Sequence, residues 1–387
     1  MNILFTSSTP FHPLSGGMAI VTDTLCKSFQ QKGHCVWYMH HNWYRDEYKY
    51  YSYPAPVAIL PNFNKEAQEN HQFYIDFLKR HQIDIVICQD ALYNLTFQRV
   101  GDLPVKVISV IHSNPLHDYN FLWRQFITLR DDSFTERLRR IARCALYLKV
   151  KRQMWNHTVS HFNALYSLSD KILLLSPYYI PLIQRLNEKL LKKTGYIYNP
   201  NTYPLQNELP TRKRQEIIIV GRCHKSKRID RLLKIWDSLW KEFPDWHLSV
   251  LGEGPDKENL IKLANKLELG NMTFVGFQDP LTYYKQASII CMTSDFEGFP
   301  MVLVEAMQFG CVPIAFESFE AVHDIILQGK TGEVVKPFDL KEFRRRLSML
   351  MESDDYRERL SIAAFEHVKR FDVSGITEQW EHLFEVS

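Results

Sequence analysis

Two rounds of strand–helix alternation, parted by a single Pro-, Asn- and Tyr-rich break, constrain what this chain can fold into more than any other feature. The first round opens on the apolar run NILFTSS, passes through the helical GMAIVTDTLCKSFQQKG and returns to HCVWYMHH. PVAILP, IDIVICQ, VKVISVIH and KILLLS follow, with helical stretches between several of them. The second round runs EIIIVG, SKRIDRLLKIWDSLWKEF, HLSVLG, DKENLIKLANKLEL, MTFVG, ASIICMTS, MVLVEAMQFG, VPIAF and EVVK. In SKRIDRLLKIWDSLWKEF, the apolar residues from Ile229 to Phe243 recur at helical spacing, and Pro244 is expected to stop the helix. Short apolar runs joined by helices predict parallel sheets covered on both faces. The segment from Gly195 to Pro210, GYIYNPNTYPLQNELP, reads as a linker. At 387 residues the chain is long enough for two domains. We expect an N-terminal domain over 1–204 and a C-terminal domain over 205–371. Residues 372–387 are expected to form a helix packing back on the N-terminal domain. In open sheets of this kind ligands bind outside the carboxyl ends of the strands.

Charge narrows the partners. The formal net charge is only +3, so no nucleic-acid partner is indicated. The cysteines, Cys26, Cys35, Cys88, Cys144, Cys223, Cys291 and Cys311, are scattered and never spaced C-x-x-C. They read as reduced core thiols of a cytoplasmic protein rather than as disulfides or a zinc site. MNILFTSS lacks the pattern of a signal peptide, and no apolar run approaches the roughly 20 residues that cross a bilayer. Any membrane contact is expected to be peripheral.

Five motifs fall at the expected carboxyl ends. FEGFPMVLVEAMQFGCVPI sets Glu297 and Glu305 across a Gly-Pro turn and a helix start. Helix N-termini suit phosphate or sugar oxygens, and a carboxylate one turn in can accept from both hydroxyls of a ribose. Glu297, in the loop, suits the hydroxyls of a sugar. The plain alternative, two solvated glutamates, sits poorly with the apolar run MVLVEAM around Glu305. VGRCHKSKRID carries Arg222 and Lys227 on a loop entering a helix; two fixed cations there can hold a diphosphate, or form a solvated basic loop. LGEGPD brings Gly252 and Gly254, either bare backbone for a base or an ordinary turn. STPFHPLSGGMAI brings Gly16 and Gly17, which allow close approach of a ligand or simply make a tight loop. His112 ends VKVISVIH, where it can bond a sugar or acceptor hydroxyl or serve only the fold.

VGRCHKSK, GEGP and EGFPMVLVEAMQFGCVPI, in that order, with the Gly-Gly loop and the strand-end histidine, resemble the retaining glycosyltransferases of family 4. The resemblance covers nearly the whole chain; it is strong in the C-terminal half and diffuse from Trp37 to Gln82. It implies an α/β protein of the GT-B fold, two Rossmann-like domains with parallel sheets facing a central cleft. It implies that Arg222 and Lys227 bind the diphosphate of a nucleotide-sugar donor and that Glu305 binds its ribose. Glu297 and the backbone of Gly298, Phe299 and Pro300, with Met301 beside them, would face the donor sugar. The loop GFQDP, with Phe277, would lie by the base. Among these residues His112, Arg222, Lys227 and Glu297 would carry catalysis. A UDP-sugar is the expected donor, and a saccharide or lipid-linked saccharide of surface polysaccharide the expected acceptor.

Two departures stand out: Arg228 replaces the glycine usual after the motif lysine, and GFPM replaces the commoner GFG-type turn. The sugar therefore cannot be carried over. No D-x-D triplet occurs, which is consistent with donor binding without a metal, and no separate cofactor is expected. Two rival readings carry weight, although the Glu297–Glu305 segment argues against the first and the presence of Arg222, Lys227 and both glutamates against the second. A nucleotide-sugar epimerase would need acid–base carboxylates and no acceptor. A silent glycosyltransferase-like partner protein would be expected to have lost Arg222, Lys227 or a glutamate.

Between Leu122 and His157 lie Arg124, Arg130, Arg137, Arg139, Arg140, Arg143, Lys149, Lys151 and Arg152 against Asp131, Asp132 and Glu136. Leu138, Ile141, Ala145, Leu148 and Trp155 share a helical face. A basic amphipathic helix over 136–157 can dock on an anionic membrane, here the inner face, or stand as a solvated outer helix. The aromatic run from Trp37 to Tyr53 can line an acceptor site or pack structurally.

Overall fold

The computed structural model describes residues 1–12, 16–41, 51–117, 119, 120, 122, 134–210 and 213–385, with the side chains of 134–145 outside that set. The chain divides into two units, Met1–Ile197 and Tyr198–Ser387. The division falls inside the stretch whose composition marks a linker.

The first unit carries β1 (Asn2–Ser7), α1 (Gly17–Gln31), β2 (Cys35–His40), β3 (Val57–Ile59), α2 (Gln68–Arg80), β4 (Ile85–Cys88) and β5 (Lys106–Ile111). It continues with α3 (Phe134–Leu168), β6 (Lys171–Leu174), α4 (Ile180–Leu186) and β7 (Thr194–Tyr196). The sheet order is β3-β2-β1-β4-β5-β6-β7, with every pair parallel. β7 is the strand that sequence periodicity misses. TGY is only three residues long with a glycine at its centre, too short to show a period, and it pairs with Ile172–Leu174 at the edge of the sheet.

The second unit carries β8 (Arg214–Val220), α5 (Ile229–Asp237), β9 (His247–Leu251), α6 (Lys257–Lys266), β10 (Met272–Gly276), α7 (Leu281–Gln286) and β11 (Ala287–Met292). After these come α8 (Met301–Gln308), β12 (Val312–Phe316), α9 (Val322–Ile325), β13 (Glu333–Val335), α10 (Leu340–Glu352), α11 (Asp354–Val368) and α12 (Val373–Glu385). Its six strands run parallel in the order β10-β9-β8-β11-β12-β13. All six residues of β11 are buried, as a parallel strand covered on both faces requires. Ile217, Ile219, Leu248, Val250, Ile289, Cys291 and Ile314 from the sheet pack with Leu232, Leu233 and Trp236 of α5. The Trp236 indole donates to the Gly270 carbonyl at 2.9 Å, so the largest core side chain is also satisfied. α5 ends at Asp237, earlier than Pro244; Leu239 and Trp240 continue inward through turns bonded back to Trp236.

Residues 201–204 are tied to α8. The Asn201 amide donates to Gln308 Oε1 at 3.1 Å, and the Gln308 amide donates to the Pro204 carbonyl at 3.0 Å. α12 is grouped with this unit and buries Ile376, Thr377, Trp380 and Phe384. Of the described cysteines, Cys26, Cys88, Cys223, Cys291 and Cys311 are buried thiols and Cys35 is exposed.

Candidate functional site

The strand order of the second unit reverses direction between β8 and β11, which opens a crevice outside their carboxyl ends. Two loops meet there. The loop after β8 is stitched to the loop after β9 by backbone bonds, Gly221 N–H to Leu251 (3.0 Å) and Cys223 N–H to Glu253 (2.8 Å). A Cβ on Gly252 would lie 2.0 Å from the Gly221 carbonyl oxygen, and one on Gly254 would lie 2.4 Å from that of Cys223. Both glycines also have positive φ, 141° and 153°. Their backbone is bare because the neighbouring loop fills the space. Arg222 is exposed on that neighbouring loop.

Lys225–Lys227 form a single 3-10 turn, capped by the His224 side chain accepting from Ser226 N–H. Arg228 follows in the left-handed conformation, φ 49°. Glycine takes this conformation without penalty, whereas a side chain there carries a cost of roughly 1–2 kcal/mol. The Arg228 guanidinium is held by Asp230 at 2.8 and 3.0 Å and lies 3.6 Å from Asp295.

β11 delivers the other loop. Asp295 N–H donates to the Ser226 carbonyl at 2.8 Å, joining the two loops directly. The Asp295 carboxylate pairs with Arg231 at 2.7 Å, and both side chains are nearly buried. Arg231 also donates to the Thr293 carbonyl at 3.1 Å and lies 4.0 Å over the Phe338 ring. These extra partners offset part of the desolvation cost of burying the ion pair. On this frame Lys227 Nζ meets Glu297 Oε1 at 2.6 Å, both side chains partly exposed. The two motifs, 70 residues apart in sequence, thus converge. An anion entering the crevice would compete with Glu297 for the Lys227 ammonium.

Glu305 lies one turn into α8 and is buried. Its carboxylate accepts from the Thr202 hydroxyl at 2.5 Å and the Tyr284 hydroxyl at 2.9 Å. Burial pushes its carboxyl up, and the two hydroxyl donors pull it back down. Phe299 is also buried, its ring packed on Phe371 and Tyr198, and so is Met301. The Phe299 and Met301 side chains therefore serve the core. Phe277, just past β10, is 68% exposed, and the Tyr203 hydroxyl donates to Asp279 nearby in sequence at 2.8 Å.

The remaining expected residues belong to the first unit. Gly16 (φ 123°) caps α1, Gly17 opens it, and a Cβ on either would meet nothing within 4 Å. His112 follows β5, and its Nε2–H donates to Gln89 Oε1 at 2.5 Å. Burial lowers its pKa to about 4, so the ring is neutral at pH 7 and acts as a hydrogen-bond group rather than a cation. The Gln89 amide nitrogen is buried without a partner among the described residues, a donor left for a ligand or water. In the aromatic run Tyr38 and Tyr51 both donate to the buried Asp23, and residues 42–50 lie outside the described residues. Arg124, Arg130, Asp131 and Asp132 also lie outside them, as do the side chains of Glu136, Arg137, Leu138, Arg139, Arg140, Ile141, Arg143 and Ala145.

Sequence reasoning missed Asp295, Arg231, Thr202, Tyr284 and Gln89. Asp295 carried a signal, an acid two residues before Glu297 at a strand end. Thr202 carried none, since 103 residues separate it from the carboxylate it serves. Among the described residues, no three His, Cys, Asp or Glu side chains converge to hold a metal.

The family model "Glycosyl transferases group 1" matches residues 205–367, and "Glycosyltransferase Family 4" matches residues 15–168. An uncharacterized glycosyltransferase of Haemophilus influenzae is 30% identical over 189 residues, 48% of this chain and 54% of that protein. The amylovoran biosynthesis glycosyltransferase AmsD of Erwinia amylovora is 26% identical over 224 residues, 56% of this chain and 63% of that protein. The matched stretches thus span little more than half of those two relatives' lengths. Among solved structures, Anabaena HepE in complex with UDP superimposes with a TM-score of 0.76 at 14% identity, covering 100% of both chains.

Proposed function

Because the chain belongs to the group 1 and family 4 glycosyltransferases, with the GT-B fold of two parallel-sheet α/β domains, we propose that it transfers a sugar from a nucleoside diphosphate sugar to a saccharide acceptor. The donor is a UDP-sugar and the acceptor a saccharide, free or lipid-linked, of surface polysaccharide. The observation that carries this reading is the Lys227–Glu297 pair at the β8–β11 crevice, with Arg222 on the same loop. The anomeric carbon loses the nucleotide diphosphate and gains the acceptor oxygen on the same face, so configuration is retained, and the proton of the acceptor hydroxyl passes to the leaving phosphate oxygen. Negative charge grows on the leaving phosphate. Arg222 and Lys227 are cations on the loop beside which that charge develops, and positive charge already at the crevice stabilises it as it forms. Release of Lys227 from Glu297 by the diphosphate frees the Glu297 carboxylate to accept from sugar hydroxyls. Glu305 binds the ribose, its two protein hydroxyl donors holding the carboxylate in place. No metal takes part, because the two cations do its work.

The test is nucleotide release from a panel of nucleotide-sugars, measured with and without saccharide acceptors and with chelator present. We expect release that rises with acceptor and is unaffected by chelator. Donor conversion without any acceptor would replace transfer by epimerisation, and no turnover with any donor would leave a silent binding protein. Loss of turnover in chelator with recovery on adding a divalent ion would overturn the metal-free mechanism.

A further inference from the structure

In the first unit the strand order reverses direction between β1 and β4, so a crevice opens outside their carboxyl ends too. Gln89 is the first residue past β4, and His112 the first past β5, its parallel neighbour. Gln89 is 1% exposed, and its backbone is fixed on β1. Its N–H donates to the Thr6 carbonyl at 2.9 Å, and the next residue, Asp90, accepts from Ser8 N–H at 2.7 Å. Anchored in this way, Gln89 presents Oε1 to His112 Nε2 at 2.5 Å. The His112 ring is partly exposed and, among the described residues, has no other hydrogen-bond partner. A neutral imidazole carries one N–H and one lone pair, and the partner of one nitrogen decides the role of the other. An amide oxygen only accepts, so the proton lies on Nε2 and the lone pair on Nδ1. A carboxylate in the same place would favour the imidazolium, which has no acceptor left. Glutamine therefore orients the ring without charging it. Burial acts in the same direction, and no charged group among the described residues offsets it.

We propose that Gln89 is a positioning residue: it holds His112 as the neutral Nε2–H tautomer, so that Nδ1 accepts a hydrogen bond from a hydroxyl of the bound saccharide. The hydroxyl rests on the sugar-transfer reading; the tautomer rests on the first unit alone. The Gln89 amide nitrogen is buried without a partner among the described residues. An apolar side chain would fill the same space without stranding a donor, so space-filling does not account for a glutamine here. The arrangement selects a group that donates. A carboxylate or an ether oxygen of the saccharide at that point would face the Nδ1 lone pair and go unpaired.

The test is the nitrogen-15 spectrum of the full chain labelled at histidine, with His112→Phe identifying the ring's signals by their loss. Wild type should show the Nε2–H tautomer alone at neutral pH. Gln89→Met, of similar length and without an acceptor at that point, should show both tautomers, and kcat/KM for sugar transfer should fall about five- to tenfold. Gln89→Glu should show an imidazolium at neutral pH, and its kcat/KM relative to wild type should rise with pH as the ring loses that proton. A purely structural glutamine would change thermal unfolding and leave the tautomer and this pH profile alone. An Nδ1–H tautomer in wild type overturns the proposal, as does an unchanged spectrum in Gln89→Met, or mixed tautomers there with wild-type kcat/KM. Should Gln89→Met fail to fold, Gln89→Glu decides, and a protonated ring at wild-type kcat/KM overturns the proposal. A wild-type chain that turns over no nucleotide-sugar fails the sugar-transfer reading instead, and the spectra then decide the tautomer alone.

Discussion

Lys227 and Arg222 differ in what surrounds them, and their variants should differ in consequence. Lys227 is neutralised by Glu297 at 2.6 Å, whereas Arg222 is exposed on the same loop. Neither is part of the core, so Lys227→Ala and Arg222→Ala should unfold at nearly the wild-type urea concentration. Each should lower kcat about 10²-fold, the usual loss when one fixed stabiliser of developing charge is removed. Unchanged kinetics in both would remove the diphosphate assignment. Gly252 predicts the opposite pattern. A methyl group there meets the Gly221 carbonyl oxygen at 2.0 Å and forces a side chain onto φ 141°. Gly252→Ala should cost about 2 kcal/mol or more in equilibrium unfolding, with activity lost as the β8 loop shifts.

At the scale of the element, α8 joins chemistry to the fold through Glu305. The folded chain holds this carboxyl's proton to a higher pH than the ordinary value of 4.5, because burial disfavours the charge. Above about pH 4.5 the folded state therefore binds more protons than the unfolded state, and stability falls as pH rises through the native pKa. Glu305→Gln removes that slope. Urea midpoints of wild type should decline relative to the variant between pH 4.5 and neutrality, while UDP affinity in the variant drops about tenfold or more through the lost charged acceptor. A variant whose midpoints run parallel to wild type would show that Glu305 ionises without a burial penalty. Elements of this kind were largely legible in sequence. Every strand of the second unit, the start of α8 and the glutamate stranded among apolar residues could be read from periodicity. Length and edge position hid β7. The hydroxyls that hold Glu305 were hidden because nothing local links Thr202 or Tyr284 to position 305. The same holds for Gln89, whose bond to His112 is made only when β4 and β5 pair.

For the molecule as a whole, two separate sheets imply two separately responding bodies. UDP should bind the native second unit and raise its stability, by about 2.7 kcal/mol at a hundredfold excess over Kd. Hydrogen exchange with UDP should slow at Gly221–Arg231 and Asp295–Glu305 and stay unchanged in β1, β2 and β3. Protection confined to Met1–Ile197 would move the nucleotide site to the other body. Anyone recombining this protein with a relative meets a constraint set by the loop contacts of the second unit. The turn after β8 touches the turn after β9 backbone to backbone, through Gly221, Cys223, Gly252 and Gly254, and touches the turn after β11 through Ser226 and Asp295. A graft that replaces one of these turns, or lengthens it by a residue, inherits a partner shaped for the original. The three turns form one exchangeable cassette, and new donor preference should be sought by moving them together.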